Sequence, residues 1–192
     1  TTVTVSVTPD KNHTAPNSVT FSVRAALFDS VVALANSSVG YKVCSNGKAY
    51  APNATLPNGV TVIGMVARRN SGTNGSGIVL YKQDNSGLYT WANRNGGNPS
   101  PVAVYVSDLS SKTNKSWTCG TQEQYQQCGV DDGSTWSTLQ SRLSSAGCTQ
   151  FSSDKYRSYT EGNTGRAYYF SDGTWGKKSK SDDIKVRPLF EF

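Results

Sequence analysis

The chain has 192 residues and a mass of 20.6 kDa, enough for one sizeable core or a core with a small appendage. Hydrophobic residues make up 35% and charged residues 17%, both low for a globular domain; Gly, Ser, Thr and Asn fill the gap. That balance excludes a helical bundle. The formal charge of +6 is scattered rather than blocked and has no nucleic-acid motif beside it, and no apolar run approaches the roughly 18 to 20 residues that cross a bilayer.

Residues 1 to 8, "TTVTVSVT", alternate Val with Thr or Ser, and "SVTFSVRA" at 18 to 25 does the same; both predict half-buried strands. Between them "PDKNHTAPN" is turn chemistry and holds His13, the sole histidine. Residues 1–38 therefore read as a small strand module or extension, and 39–192 as the main domain. "VGYKVCSNGKAYA" predicts a hairpin around Asn46-Gly47, "GVTVIGMVA" at 59–67 a central strand, and "GIVLYKQ" at 77–83 another. Residues 84–116 offer few apolar anchors, and "NRNGGNPSP" within them is plainly loop.

Two helices are predicted next. "TQEQYQQCG" opens on a capping box, Thr121 with Gln124 three residues on. "STWSTLQSRLSSAGC" places Trp136, Leu139 and Leu143 on one face, with Ser134 as its cap and Gly147 as its stop. The chain then returns to strands at "RAYYFSDG" and "IKVRPLFEF", separated by Gly/Lys/Ser-rich loops. Strands, helices, then strands predict an α+β fold.

Four cysteines, Cys44, Cys119, Cys128 and Cys148, fit either disulfides or buried free thiols; a zinc site is disfavoured because no C-x-x-C pair occurs. Catalysis finds no nucleophile elbow and no phosphate-cradling loop. The acidic fragments "VDDG" at 130–133 and "SDD" at 181–183 are the best calcium candidates.

From Val39 to Phe192 the chain resembles the C-type lectin-like variable proteins diversified by bacterial and phage retroelements. The resemblance rests on "VGYKVCSNGKAYA", on "WSTLQSRLSSAG", and above all on "DKYRSYTE…AYYFSDG…KVRPLF". That family often carries Trp after the first Tyr of the last motif, where this chain has Arg157. The resemblance implies a C-type lectin-like fold with two helices and an irregular antiparallel sheet. It also implies a C-terminal segment that binds a protein or surface receptor, outside the cell on a bacterial surface or phage tail, without catalysis, metal or cofactor.

The candidate contact residues are Arg157, Tyr159, Glu161, Asn163, Thr164, Arg166, Tyr169, Ser171, Lys177 and Lys178. Their chemistry suits recognition: Tyr gives a large rigid contact with a polar end, Asn and Ser adapt their hydrogen bonds, and Arg stacks and forks. In the strand at 167–171 the alternation predicts Tyr168 and Phe170 inward, with Tyr169 and Ser171 outward. Trp175 is expected to pack beneath the segment. A calcium-dependent glycan-binding lectin and a pilus-tip or adhesin structural subunit are the competing classes.

Overall fold

The structure, a computed structural model, describes residues 31–71, 75–85, 101–131 and 133–192. The strands expected at 1–8 and 18–25, and His13, lie outside them. The described chain is α+β, with antiparallel sheets and few helices.

In chain order the elements are β1 (Val31–Ala33), a 3-10 turn (Leu34–Asn36), β2 (Lys42–Cys44), β3 (Lys48–Tyr50), β4 (Val62–Arg69) and β5 (Gly77–Tyr81). The helices α1 (Pro101–Thr113), α2 (Gln122–Gln127) and α3 (Ser134–Ser145) follow. The chain ends with β6 (Tyr156–Asn163), β7 (Arg166–Ser171), β8 (Thr174–Ser179) and β9 (Leu189–Glu191).

One sheet runs β1-β3-β2-β4-β5-β9 and the other β6-β7-β8. The predicted β2–β3 hairpin is present, with Gly47 at φ 77° in its turn. β4 and β5 stand at the centre of the large sheet and are buried on both faces, which is why they read as unbroken apolar runs. Along β5, Ile78 and Leu80 enter one core cluster and Val79 the other; β9 divides Leu189 and Phe190 in the same way. Gly64 on β4 lets β5 approach closely, since a Cβ there would lie 2.5 Å from the Leu80 carbonyl oxygen.

The first cluster joins Met65, Ile78 and Leu80 to Tyr125 of α2, to Leu139 and Leu143 of α3, and to Phe170 of the small sheet. On the opposite face Val43, Val66, Val79 and Phe190 pack against Leu109 of α1 and Trp117. The large sheet is thus a middle layer, with α1 on one side and α2, α3 and the small sheet on the other.

Several expectations change. Residues 101–113 form a 13-residue helix where the sequence reading assigns no element: Pro101 occupies its first position, and Val102, Val106 and Leu109 form its inner stripe. Residues 174–179 are a strand, not a loop, and residues 156–163 form a further strand that the sequence pattern does not announce. Helix α3 is capped by Gly133 at φ 75° with no side-chain bond, so Ser134 is its first helical residue and not its cap. Residues 31–33 pair with β3, so the segment assigned to an N-terminal module contributes to the main sheet.

The capping box of α2 forms as expected. Gln124 N–H donates to Thr121 Oγ1 at 3.2 Å, and Thr121 N–H donates to Gln124 Oε1 at 2.9 Å. All four cysteines are buried free thiols, with no disulfide between them. No described helix is long and apolar enough to cross a membrane.

Candidate functional site

The small sheet and its β6–β7 turn carry every candidate contact residue, and three local devices set its shape. At its inner end Phe170 is the hub of an aromatic cluster, with ring centroids at 5.1 Å from Tyr125, 5.4 Å from Phe151, 5.3 Å from Tyr156 and 5.2 Å from Trp175. Trp175 packs beneath the strands as expected and donates its indole N–H to the Val130 carbonyl oxygen at 3.0 Å. At the side, β6 is tied to the start of α2: Tyr159 N–H donates to the Gly120 carbonyl oxygen at 2.7 Å, and Gln122 N–H donates to Thr160 Oγ1 at 2.8 Å. At the outer end Asn163 Oδ1 accepts from the N–H groups of Gly165 (3.1 Å) and Arg166 (2.9 Å), closing the β6–β7 turn.

A buried polar network holds this sheet to the rest of the domain. Arg187 is wholly buried and donates from Nε to Asp84 Oδ1 at 2.8 Å, with Nη2 on the same oxygen. It also donates to the carbonyl oxygens of Thr149 (2.6 Å) and Gln150 (3.2 Å), and its guanidinium lies 4.1 Å from the Phe151 ring centre. Tyr156 of β6 donates its hydroxyl to the other Asp84 oxygen at 2.6 Å. Burial first, and that carboxylate second, push the Tyr156 hydroxyl up to about 12.

The candidates do not form one patch. Register places Arg166, Tyr168 and Lys177 on one face, with the Lys177 ammonium 4.9 Å over the Tyr168 ring. Glu161, Ala167 and Lys178 form a row on the other face, where Glu161 pairs with Lys180 at 3.3 Å and Lys178 with Asp182 at 3.2 Å. Tyr159, Glu161, Asn163, Thr164, Arg166 and Lys177 are exposed, Tyr159 at 61%. Tyr169 and Ser171 lie on the face opposite Phe170, as expected, but are half-buried, because residues 153–155 lie against them: Lys155 Nζ sits 5.6 Å over the Tyr169 ring, and Ser171 Oγ donates to the Ser153 carbonyl oxygen at 3.0 Å. Phe170 faces the core as expected, while Tyr168 on the same face is only half-buried.

Arg157 is a correction. It is wholly buried and cannot touch a ligand from that position. Its Nη2 donates to the Asp182 carbonyl oxygen at 2.6 Å, more weakly to that of Ser179 at 3.5 Å, while Nε has no partner. Burial lowers its pKa. Its role is to tie β6 to the segment after β8. Asn163 also has a structural task, since its side-chain oxygen is used by the turn.

Among the described residues no three His, Cys, Asp or Glu side chains converge as a metal site. Asp182 is committed to Lys178, and Asp132 of the "VDDG" fragment lies outside the described residues. Sequence reasoning missed Tyr168, which lies directly under Lys177; only the β7–β8 register brings the two together. A shallow cleft of about 410 Å³ opens beside the sheet between Ser153, Lys155, Lys178 and Asp183.

No family model and no curated protein matches the chain. Among solved structures it is similar to a fimbrial protein from Bacteroides ovatus, with a TM-score of 0.60 at 12% identity. The likeness covers 81% of this chain and 49% of that protein, so the chain corresponds to about half of its length. At that identity the likeness is one of fold.

Proposed function

We propose that this chain is a non-catalytic domain of a surface-exposed, fimbria-type protein and contacts a receptor through the β6–β7–β8 sheet. The observation that carries the reading is the likeness of fold to a fimbrial protein over 81% of the chain. It favours the adhesin or pilus-subunit class over the calcium-dependent lectin. The contact surface would be the face that carries Arg166 and Lys177, with Tyr168 beneath the lysine, extended by exposed Tyr159 and Thr164. These are exposed or half-exposed polar and aromatic groups on strands fixed by a turn, a helix start and an aromatic hub. Two or three such residues typically dominate a binding surface, each worth about 2 kcal/mol or more.

Four reduced thiols are compatible with an extracellular location. Each is buried, and burial pushes Cys44 and Cys148 up to about 11 and Cys119 to about 12, which withholds the reactive thiolate. The C-type lectin-like description and diversification by a retroelement are the finer part of the same proposal. Their support is the set of sequence motifs, together with side chains that project from a fixed backbone. Sequencing the gene and its flanks in related isolates tests that part: variation confined to codons such as 159, 166 and 177, beside a template repeat and a reverse transcriptase, is the expected result. Immunogold microscopy of producing cells tests the location. Label on surface filaments supports it, and label confined to the cell interior overturns it.

A further inference from the structure

Four Asn-Gly pairs stand in the chain, at 46–47, 58–59, 74–75 and 95–96, and the structure describes both members of the first two. Such a pair is chemically labile, because glycine has no Cβ to keep its own backbone nitrogen away from the preceding asparagine side chain. Attack needs the two reacting groups free and close, so hydrogen bonds that hold either one suppress it. Asn46 and Gly47 are held at every reacting atom. They lie in the short loop between β2 and β3, where Gly47 N–H donates to the Cys44 carbonyl oxygen at 2.9 Å. The side-chain amide is fixed at both ends: Asn46 Nδ2 donates to the Tyr50 hydroxyl at 2.7 Å, and Oδ1 accepts from Lys48 N–H at 3.2 Å. Tyr50 is itself buried and paired with Lys42 across the ladder, so this cage opens only with the sheet.

Asn58 and Gly59 are held at none. They form the centre of a turn in the link between β3 and β4, closed by the Val60 N–H donating to the Pro57 carbonyl oxygen at 3.1 Å. Gly59 is left-handed at φ 78° while Asn58 is not, the type II arrangement that glycine favours. Both residues are exposed. Neither the Asn58 side chain nor the Gly59 N–H makes a hydrogen bond among the described residues, and nothing stands within 4 Å of where a Gly59 Cβ would lie. A single backbone bond thus resists the rotation that brings the Gly59 nitrogen to the Asn58 side chain.

We infer that Asn58 is a self-modification site, which converts to isoaspartate and aspartate in the folded chain while Asn46 is protected. The Gly59 nitrogen gives its proton to solvent and bonds to Asn58 Cγ; the Cγ–Nδ2 bond breaks, and Nδ2 takes up a proton and leaves as ammonia. Water then opens the cyclic imide at either carbonyl carbon. Opening at the backbone carbonyl gives isoaspartate, with the chain running through Cγ, and opening at Cγ gives aspartate. Nothing is oxidised or reduced. Each product carries a new carboxylate, which removes one unit from the formal charge of +6.

The test incubates the 192-residue chain at pH 8, one sample folded and one in urea, until Asn58 in urea is half converted. Proteolysis and tandem mass spectrometry assign each product to its residue, and a protein isoaspartate methyltransferase labels the isoaspartate in the peptide that holds position 58. In urea the two sites should convert at comparable rates, since both are Asn-Gly in an open chain. In the folded chain Asn58 should convert at least tenfold faster than Asn46. Asn58→Gln, whose longer side chain closes the imide ring far more slowly, should give no product at 58 in a chain of unchanged circular dichroism. A folded-chain ratio below tenfold overturns the inference, as does an Asn58 that stays intact in the folded chain. A difference of the same size in urea overturns it too, because its cause would then lie in the sequence and not in the two turns.

Discussion

Replacing Asp84 by alanine removes the carboxylate from a guanidinium with no solvent access. Arg187 is 0% exposed, and Asp84 also accepts from Tyr156 and lies 3.7 Å from Lys185. Removing one member of a buried ion pair costs about 3–5 kcal/mol, because the other charge is left uncompensated. Arg187 would keep the Thr149 and Gln150 carbonyl oxygens and the Phe151 ring, which places the expectation near the lower end, about 3 kcal/mol. For a domain of this size that lowers Tm by roughly 6–12 °C, at about 2–4 °C per kcal/mol. Urea and thermal unfolding followed by circular dichroism measure both quantities. The double variant Asp84→Leu/Arg187→Met should be more stable than Asp84→Ala alone, since it also removes the charge. A single variant within about 1 kcal/mol of wild type would refute the reasoning, because Arg187 would then be satisfied without Asp84.

Thr121→Ala removes one half of the α2 capping box and should cost about 1 kcal/mol in urea unfolding. Gly64→Ala drives a methyl against the Leu80 carbonyl oxygen and should cost about 1–3 kcal/mol, with reduced exchange protection along β4 and β5. Alkali should destabilise the chain. The buried thiols and Tyr156 have folded values raised above their ordinary 9.0 and 10.0, so the native state holds more protons than the unfolded one. Stability is therefore intact below pH 9 and falls from pH 9 to about 11 through Cys44 and Cys148, from pH 9 to about 12 through Cys119, and from pH 10 to about 12 through Tyr156, by up to about 1.4 kcal/mol per pH unit for each group within its window. At pH 8 a thiol reagent should find all four cysteines unreactive in the native chain and reactive in urea.

Local signals made part of this fold legible. Asn46-Gly47 announced a hairpin and Thr121 with Gln124 announced a helix start, because both devices act within four residues. Helix α1 was hidden by its own composition: "PVAVYV" alternates like a strand, and only packing of Val102, Val106 and Leu109 makes it helical. Strand β6 was hidden by register shifts between Arg157 and Glu161 and between Glu161 and Asn163, which break the period of two. Burial of Arg157 has no local signature, since the carbonyl groups that receive it lie 22 and 25 residues away. The lysine–aromatic pairing of Lys177 with Tyr168 follows from the β7–β8 register, which required β8 to be recognised as a strand.

The most direct test of the binding reading uses beads coated with the purified protein, applied to panels of bacterial and host cells. Tyr159→Ala/Arg166→Ala/Lys177→Ala changes three exposed side chains and should unfold at the same urea concentration as wild type. The account predicts attachment by wild type, at least a tenfold loss in the triple variant, and no loss for Val104→Ser, which alters an exposed position on α1 at the opposite layer. Attachment by the triple variant at the wild-type level, or no attachment by wild type to any cell, would contradict it.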